Sequence, residues 1–454
     1  MSTEKRNENY NVKQNKYSKS KKSNPKQFAK GSYNAQNRSG NDTNQKGKRS
    51  YKKKPYVKNG SQKTVRKPSV KIAFLGGLNE IGKNITLIEC EKDIIIVDCG
   101  MAFPDGDMLG VDLVIPDFSY IEQNYERVRG IILTHGHEDH IGGLPFLLSK
   151  VNVPIYGTPL TLGLVGNKLK EHSLFNKTQL NVVNAGDTIK LGCMSIKFIH
   201  VNHSIPDAVA FAIKTPAGTI VHTGDFKIDC TPITGDMIDL SSIAKVGDEG
   251  VLALLAESTN ANRIGYTPTE RMVSDSLDGL FRNAENYRII IATFASNVNR
   301  VQQIINCAEK YGRKVAFSGR SMVNYMEVAR NLGYLHVPEN IIIDIDMLDK
   351  FMPQQVVLVT TGSQGEPMSA LSRMAYSDHR KVMVGEGDFI IISANPIPGN
   401  EKTVGNVVDE LLKKGCKVIY ESMYDVHVSG HACQEELKII HRLVKPKYFI
   451  PVHG

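Results

Sequence analysis

No stretch of about 18 or more consecutive apolar residues occurs in this 454-residue chain, so no membrane-spanning helix is expected. The first residues are positively charged, but no apolar segment follows them, which speaks against a secretory signal. Seven cysteines (Cys90, Cys99, Cys193, Cys230, Cys307, Cys416, Cys433) are scattered and never fall into a C-x-x-C pair. That scatter excludes a cysteine-ligated structural zinc and offers no disulfide framework; it fits reduced thiols in a cytoplasmic protein. Acidic and aliphatic residues are nearly missing before residue 70.

That last shortage divides the chain. Residues 1–69 hold 20 Lys and Arg against only Glu4, Glu8 and Asp42, a net charge of +17. The remainder carries 36 basic and 44 acidic residues, a net −8. The tail is rich in Asn, Ser, Gln and Gly, and cannot bury enough apolar surface to offset its ordering entropy, so disorder is expected over 1–69. Tyr10, Tyr17, Phe28, Tyr33, Tyr51 and Tyr56 are interleaved with the lysines. Stacking on bases and neutralisation of phosphates would let such a tail bind RNA or the ribosome. A solubilising extension without a specific partner is the plainer alternative.

The body is long enough for more than one core. Short apolar strands are expected at 71–75, 85–89, 94–97, 130–133, 195–200, 209–214 and 219–222, with a helix at 141–149. From about residue 250 the rhythm changes. Strands near 251–255, 288–292, 314–317, 356–359 and 389–393 alternate with helices near 269–286, 297–311 and 322–332, the pattern of parallel α/β structure.

One cluster carries chemistry by itself. His135-Gly136-His137-Glu138-Asp139-His140 places four potential metal ligands within six residues, directly after an apolar strand. Imidazole and carboxylate suit zinc. In a loop, His135 and His137 can turn toward one ion, and Asp139 and His140 toward a second.

The cluster resembles the signature of the metallo-β-lactamase superfamily, and the surrounding Leu133 to Pro145 looks like the ribonuclease J group within its β-CASP branch. Separate motifs match in order from Val70 to Gly454. The resemblance implies an α/β protein: a metallo-β-lactamase αββα sandwich made of residues 70–255 and 395–454, with a β-CASP domain inserted over 256–394. It implies two metal ions per chain, zinc first and Mn2+ or Mg2+ as alternatives. His203 matches the third-motif histidine, Asp225 the aspartate that bridges both ions, and His453 the late histidine of the second site. His135, His137, His203 and Asp225 would surround one ion, and Asp139, His140, Asp225 and His453 the other. Asp98 matches a buried aspartate that supports them.

The same resemblance implies RNA as substrate, expected to carry a 5′-monophosphate. Cleavage would be both endonucleolytic and 5′-to-3′ exonucleolytic, in RNA maturation and decay. His431 would be a general acid, oriented by Glu257, beside a catalytic Asp225. His427, Val428, Ser429, Gly430 and His431 form one expected substrate loop, suited to phosphate oxygens. Ser296, Asn297 and Val298 form another, where a strand runs into a helix. There Ser296 would be the N-cap, and the exposed amides would attract phosphate. Arg320 could reach a phosphate or pair with a carboxylate. The role of 361–367 stays open. Rival readings are a small-molecule ester or lactam hydrolase on the same fold, and a catalytically weak RNA-binding scaffold. Family members continue past the final His-Gly with a domain used in dimerisation, so the abrupt end at Gly454 reads as a truncation that puts oligomer formation in doubt.

Overall fold

The computed structural model describes residues 67–104, 108–366, 368–397, 399–420 and 423–454. The basic tail expected over 1–69 lies outside them except for its last three residues.

Six strands form a first sheet in chain order: β1 (Val70–Gly76), β2 (Ile85–Cys90), β3 (Asp93–Val97), β4 (Val128–Ile132), β5 (Ile155–Gly157) and β6 (Leu180–Val182). β1 to β3 are antiparallel, and β3 to β6 are parallel. A second sheet begins with β7 (Thr188–Leu191), β8 (Met194–His200), β9 (Val209–Thr215), β10 (Gly218–His222) and β11 (Val251–Glu257). The third is wholly parallel: β12 (Arg288–Ala292), β13 (Lys314–Ser318), β14 (Val356–Thr360), β15 (Asp388–Ile392) and β16 (Lys417–Ile419), in the order β13-β14-β12-β15-β16. The chain then returns, and β17 (Tyr448–Val452) joins the second sheet parallel to β11, with Glu257 opposite Val452.

Side chains alternate across a strand, so each apolar run serves two cores. Ile88, Ile95, Val97 and Ile132 of the first sheet meet Ile196, Phe198, Phe211, Ile213 and Leu255 of the second. The alternate residues Leu87, Ile94, Ile96 and Ile131 face helices Leu144–Lys150 and Pro159–Glu171. On the far side Ile199, Ala210, Val221 and Leu254 pack on helices Leu240–Glu249 and Gln434–Val444. The layers are therefore helix, sheet, sheet, helix. The third sheet is covered on one face by helices Arg271–Asn283, Val298–Lys310 and Arg320–Asn331, and on the other by Ala370–Ala375 and Glu401–Lys413.

Several expectations shift. The division expected at 255/256 falls inside β11, and that at 394/395 falls between β15 and the helix Glu401–Lys413. Val404, Val407, Leu411, Cys416 and Val418 bury against the third sheet, and β16 pairs with β15, so these residues pack with the third sheet and not with the second. Their amphipathic pattern is the same whichever sheet they cover. The helix expected at 141–149 is two, Glu138–Ile141 and Leu144–Lys150. Between them a Cβ at Gly143 would stand 2.6 Å from the Gly100 carbonyl oxygen, so the chain must be bare where the loop after β3 crosses. Strands β5 to β7 and helices Pro159–Glu171 and Leu240–Glu249 had no clear signal in the sequence.

Candidate metal centre

The candidate ligands sit where strands end. His135 follows β4, His203 follows β8, Asp225 follows β10 and His453 follows β17. Parallel pairing of β10, β11 and β17 puts Asp225, Glu257 and His453 at one edge of the second sheet. The donors of the two expected sites gather in two groups, His135, His137 and His203, and Asp139, His140, Asp225 and His453, each with its atoms within 4.8 Å of one another, and a third such group, His203, Asp225 and His431, overlaps them. Asp225 Oδ2 lies 3.8 Å from His135 Nε2, 3.9 Å from His203 Nε2, 3.2 Å from His140 Nε2 and 3.7 Å from His453 Nε2, so a single oxygen faces both groups.

Hydrogen bonds on the far side of each ring decide which nitrogen is free. His203 Nδ1 donates to the Gly430 carbonyl at 2.8 Å, leaving Nε2 with its lone pair. Thr259 Oγ1 donates to the His453 carbonyl at 2.8 Å and so accepts from His453 Nδ1 at 2.7 Å. Thr134 Oγ1 donates to Asp98 Oδ2 at 2.8 Å and accepts from His135 Nδ1 at 3.0 Å. His140 Nδ1 donates to the same Asp98 oxygen at 2.8 Å. Asp98, fully buried, thus orients two rings, as supporting carboxylates do around metal ligands.

Electrostatics match a metal site. Burial and mutual repulsion hold His135 and His203 well below the usual imidazole range, and His137 at about 4, so all three are neutral donors. Burial alone would raise the carboxyls of Asp139 and Asp225, but the surrounding imidazoles hold both well below their ordinary values. Burial opposes charging of His140, yet Asp225, Asp139 and Asp98 raise it well above its usual range. A cation would displace that proton. His135 Nε2 and His137 Nε2 are buried without a hydrogen-bond partner among the described residues. For His135 this is the nitrogen facing Asp225, an orphan that a metal ion would satisfy. The donor set, imidazole and carboxylate without thiolate, fits divalent ions.

His431 stands beside this cluster. Its Nδ1 is 3.4 Å from Glu257 Oε2 and 3.9 Å from Asp225 Oδ2. Burial works against its charged form, but Glu257, then Asp225 and Asp139, raise it to about 9. Glu257 itself is fixed by the backbone amides of Ala432 at 2.9 Å and Thr259 at 3.2 Å. Of the expected substrate loop, Ser429 Oγ accepts from Asn260 Nδ2 at 2.9 Å, and Val428 is buried in the core. Burial and the nearby Arg300 depress His427 to about 3.

At the second loop one expectation is corrected. The helix Val298–Lys310 is capped by Asn297, whose Oδ1 accepts from Arg300 N at 3.0 Å, and not by Ser296. Val298 is wholly buried and its amide donates to the Ser296 carbonyl at 2.9 Å, whereas Asn297 Nδ2 has no partner among the described residues. Arg320 is exposed and forms no ion pair among them. In the 361–367 stretch, Gln364 is buried and bridges Asn395 O and Ile397 N.

Sequence reasoning missed a buried charge network. Glu270 pairs with Lys227 at 3.2 Å and with Arg300 at 2.9 Å, and Arg300 Nη1 reaches Ser393 and the Val426 carbonyl. It ties the segment after Asp225 to the loop before His427. No local pattern marks it, because its members lie far apart in the chain.

The fold and this site define a metallo-β-lactamase superfamily protein with a β-CASP insertion. Family models match accordingly: the metallo-β-lactamase superfamily over residues 78–258, the beta-CASP domain of ribonuclease J over 286–411, and a Zn-dependent metallo-hydrolase RNA specificity domain over 416–454. Ribonuclease J2 of Bacillus subtilis is 46% identical over 386 residues, covering 85% of this chain and 69% of that protein. Ribonuclease J of Helicobacter pylori strain J99 is 49% identical over 389 residues, 86% of this chain and 56% of that protein. The chain belongs to the ribonuclease J family. It spans a little over half the length of the Helicobacter pylori relatives. A solved structure from Enterococcus faecalis V583, described as a protein of unknown function, shares the fold at TM-score 0.62 and 17% identity, over 85% of this chain and 94% of that one.

Proposed function

We propose that this protein is a metal-dependent ribonuclease that hydrolyses RNA phosphodiester bonds, acting endonucleolytically and from 5′-monophosphorylated ends in RNA maturation and decay in the cytoplasm. The observation that carries the reading is the convergence of His135, His137, His203, Asp139, His140, Asp225 and His453 with the His431–Glu257 pair at their edge. Names of the relatives and the RNA-specificity match favour RNA over the small-molecule hydrolase alternative.

Two divalent cations, zinc by donor chemistry with Mn2+ or Mg2+ as substitutes, would neutralise phosphoryl charge and acidify the attacking water. His135, His137 and His203 would hold one, and Asp139, His140 and His453 the other, with Asp225 shared. His431, kept protonated by Glu257, gives its proton to the leaving 3′ oxygen, so that the products carry a 5′-phosphate and a 3′-hydroxyl. Ser296, by its hydroxyl and amide, and Asn297, by the side-chain nitrogen that no described residue satisfies, would bind substrate phosphates with Val298 beside them, and His427 to His431 would add amides and the Ser429 hydroxyl. We take the insertion to run from about residue 258 to 420. The tail, with its net +17, adds sequence-independent affinity for RNA.

The test is incubation of 5′-monophosphorylated RNA with the wild-type protein and with His137→Ala, with and without chelator. Release of nucleotides or fragments that needs metal and is lost in His137→Ala is expected. RNA binding without cleavage would reject the enzyme reading.

A further inference from the structure

Two tyrosine hydroxyls of the inserted domain reach the loops that carry the first group of histidines. Tyr325, on helix Arg320–Asn331, is 8% exposed and donates to the carbonyl oxygen of Gly136 at 3.1 Å. Gly136 lies between His135 and His137, and its carbonyl shares a peptide plane with the His137 nitrogen. Tyr334, just past the same helix, donates to Asp207 Oδ2 at 3.0 Å. Asp207 closes the loop that begins at Asn202 and His203. Its backbone is left-handed at φ +59, and its Oδ2 also accepts from Leu160 N at 2.7 Å.

The seat for this helix is built for close approach. Helix Pro159–Glu171 lies against it, and a Cβ on Gly163 would stand 2.6 Å from Val328 Cγ1. Only a residue without a side chain allows the two helices this separation. Leu164, from the same helix, leaves so little room at Gly136 that a Cβ there would stand 2.7 Å from its Cδ1. His135 and His203 also bond outside the insertion, to Thr134 and Gly430, but the side-chain partners of Asp139 and His140, Asn84, Asp98 and His453 among them, all lie outside it.

We propose that Tyr325 and Tyr334 are positioning residues by which the inserted domain sets the geometry of His135, His137 and His203, so that tight binding of one metal ion, and not of the other, depends on how that domain is seated. The inference rests on these histidines being metal ligands. A loop free to rotate its Gly136 peptide presents His137 in many orientations; the hydroxyl removes that freedom before an ion arrives, which raises affinity. Phe at either position keeps the ring and its packing and deletes only the hydrogen bond.

The test strips the 454-residue protein of metal and titrates it with zinc ions against a chromophoric chelator. The wild type, Tyr325→Phe, Tyr334→Phe, the double variant and Gly163→Ala are compared, with thermal unfolding of each metal-free protein alongside. The wild type is expected to bind two ions. The double variant is expected to bind one of them about 10-fold more weakly, the other unchanged, with a melting temperature close to wild type, and Gly163→Ala to show the same loss at one ion with a lowered melting temperature from the displaced helix. Wild-type affinity for both ions in every variant would overturn the inference, as would equal weakening of both ions in step with lost thermal stability. A wild-type protein that binds no zinc would instead overturn the metal-site reading beneath it.

Discussion

At the scale of single residues, the centre depends on partners that hold imidazoles by their outer nitrogen. Asp98 is the clearest, because one carboxylate oxygen serves both Thr134 and His140. Asp98→Asn keeps the shape but places an amide where two donors converge. Metal affinity is expected to fall about 10- to 100-fold, read by competitive zinc titration, and an unchanged affinity would contradict that role. Glu257 acts on His431 by charge. Glu257→Gln removes the main influence that raises this imidazole to about 9. A proton donor is active below its pKa and fails as pH rises through it. The alkaline limb of the pH–rate profile is therefore expected to move to lower pH in Glu257→Gln, while His431→Ala loses about 10²- to 10⁴-fold in kcat. Bound cations lower the absolute position of that limb in both proteins, so the shift between them is the quantity to measure. Thr134 and Thr259 escaped sequence reading, and Gly430 was read only as part of the substrate loop and not as the partner of His203, because threonine hydroxyls and backbone carbonyls carry no motif of their own.

Elements show how local chemistry and tertiary position divide the work. Ser296 and Asn297 both belong to residue types that cap helices, and only the path of the chain after β12 selects Asn297. Asn297→Ala is expected to destabilise the protein by about 1 kcal/mol in urea titration, and Ser296→Ala to leave the midpoint in place. Equal effects would mean that the cap is shared. Central strands such as Val-Val-Leu-Val-Thr of β14 were readable as runs of β-branched and apolar residues, since a buried strand needs no alternation. Short edge pieces such as β5 and β6 were not, because three residues make too small a pattern. The break at Gly142-Gly143 was invisible for another reason: the obstacle, the loop after β3, is about forty residues away in the chain.

The whole molecule pairs a mildly acidic body with a strongly basic tail. If the tail contributes only phosphate neutralisation, deleting residues 1–66 lowers RNA affinity most at low salt and flattens the slope of log affinity against log salt. Cleavage of a saturating short RNA keeps its rate. Binding measured at several salt concentrations checks this, and an unchanged slope would reduce the tail to a solubilising extension.

The sequence by itself determined the chemistry. The run from His135 to His140 marks a divalent-metal site, because four such donors in six residues have few other uses, and the alternation after residue 250 specifies parallel α/β structure. Tertiary structure decided which distant groups complete that chemistry. His453 comes within 2.9 Å of Asp139, 314 positions earlier, only because β17 crosses back to lie beside β11. His431 meets Glu257, and Tyr325 meets Gly136, through packing between elements whose sequences are compatible with other neighbours. Spacing along a chain fixes local geometry; contacts between remote segments follow from how whole layers bury their apolar faces together.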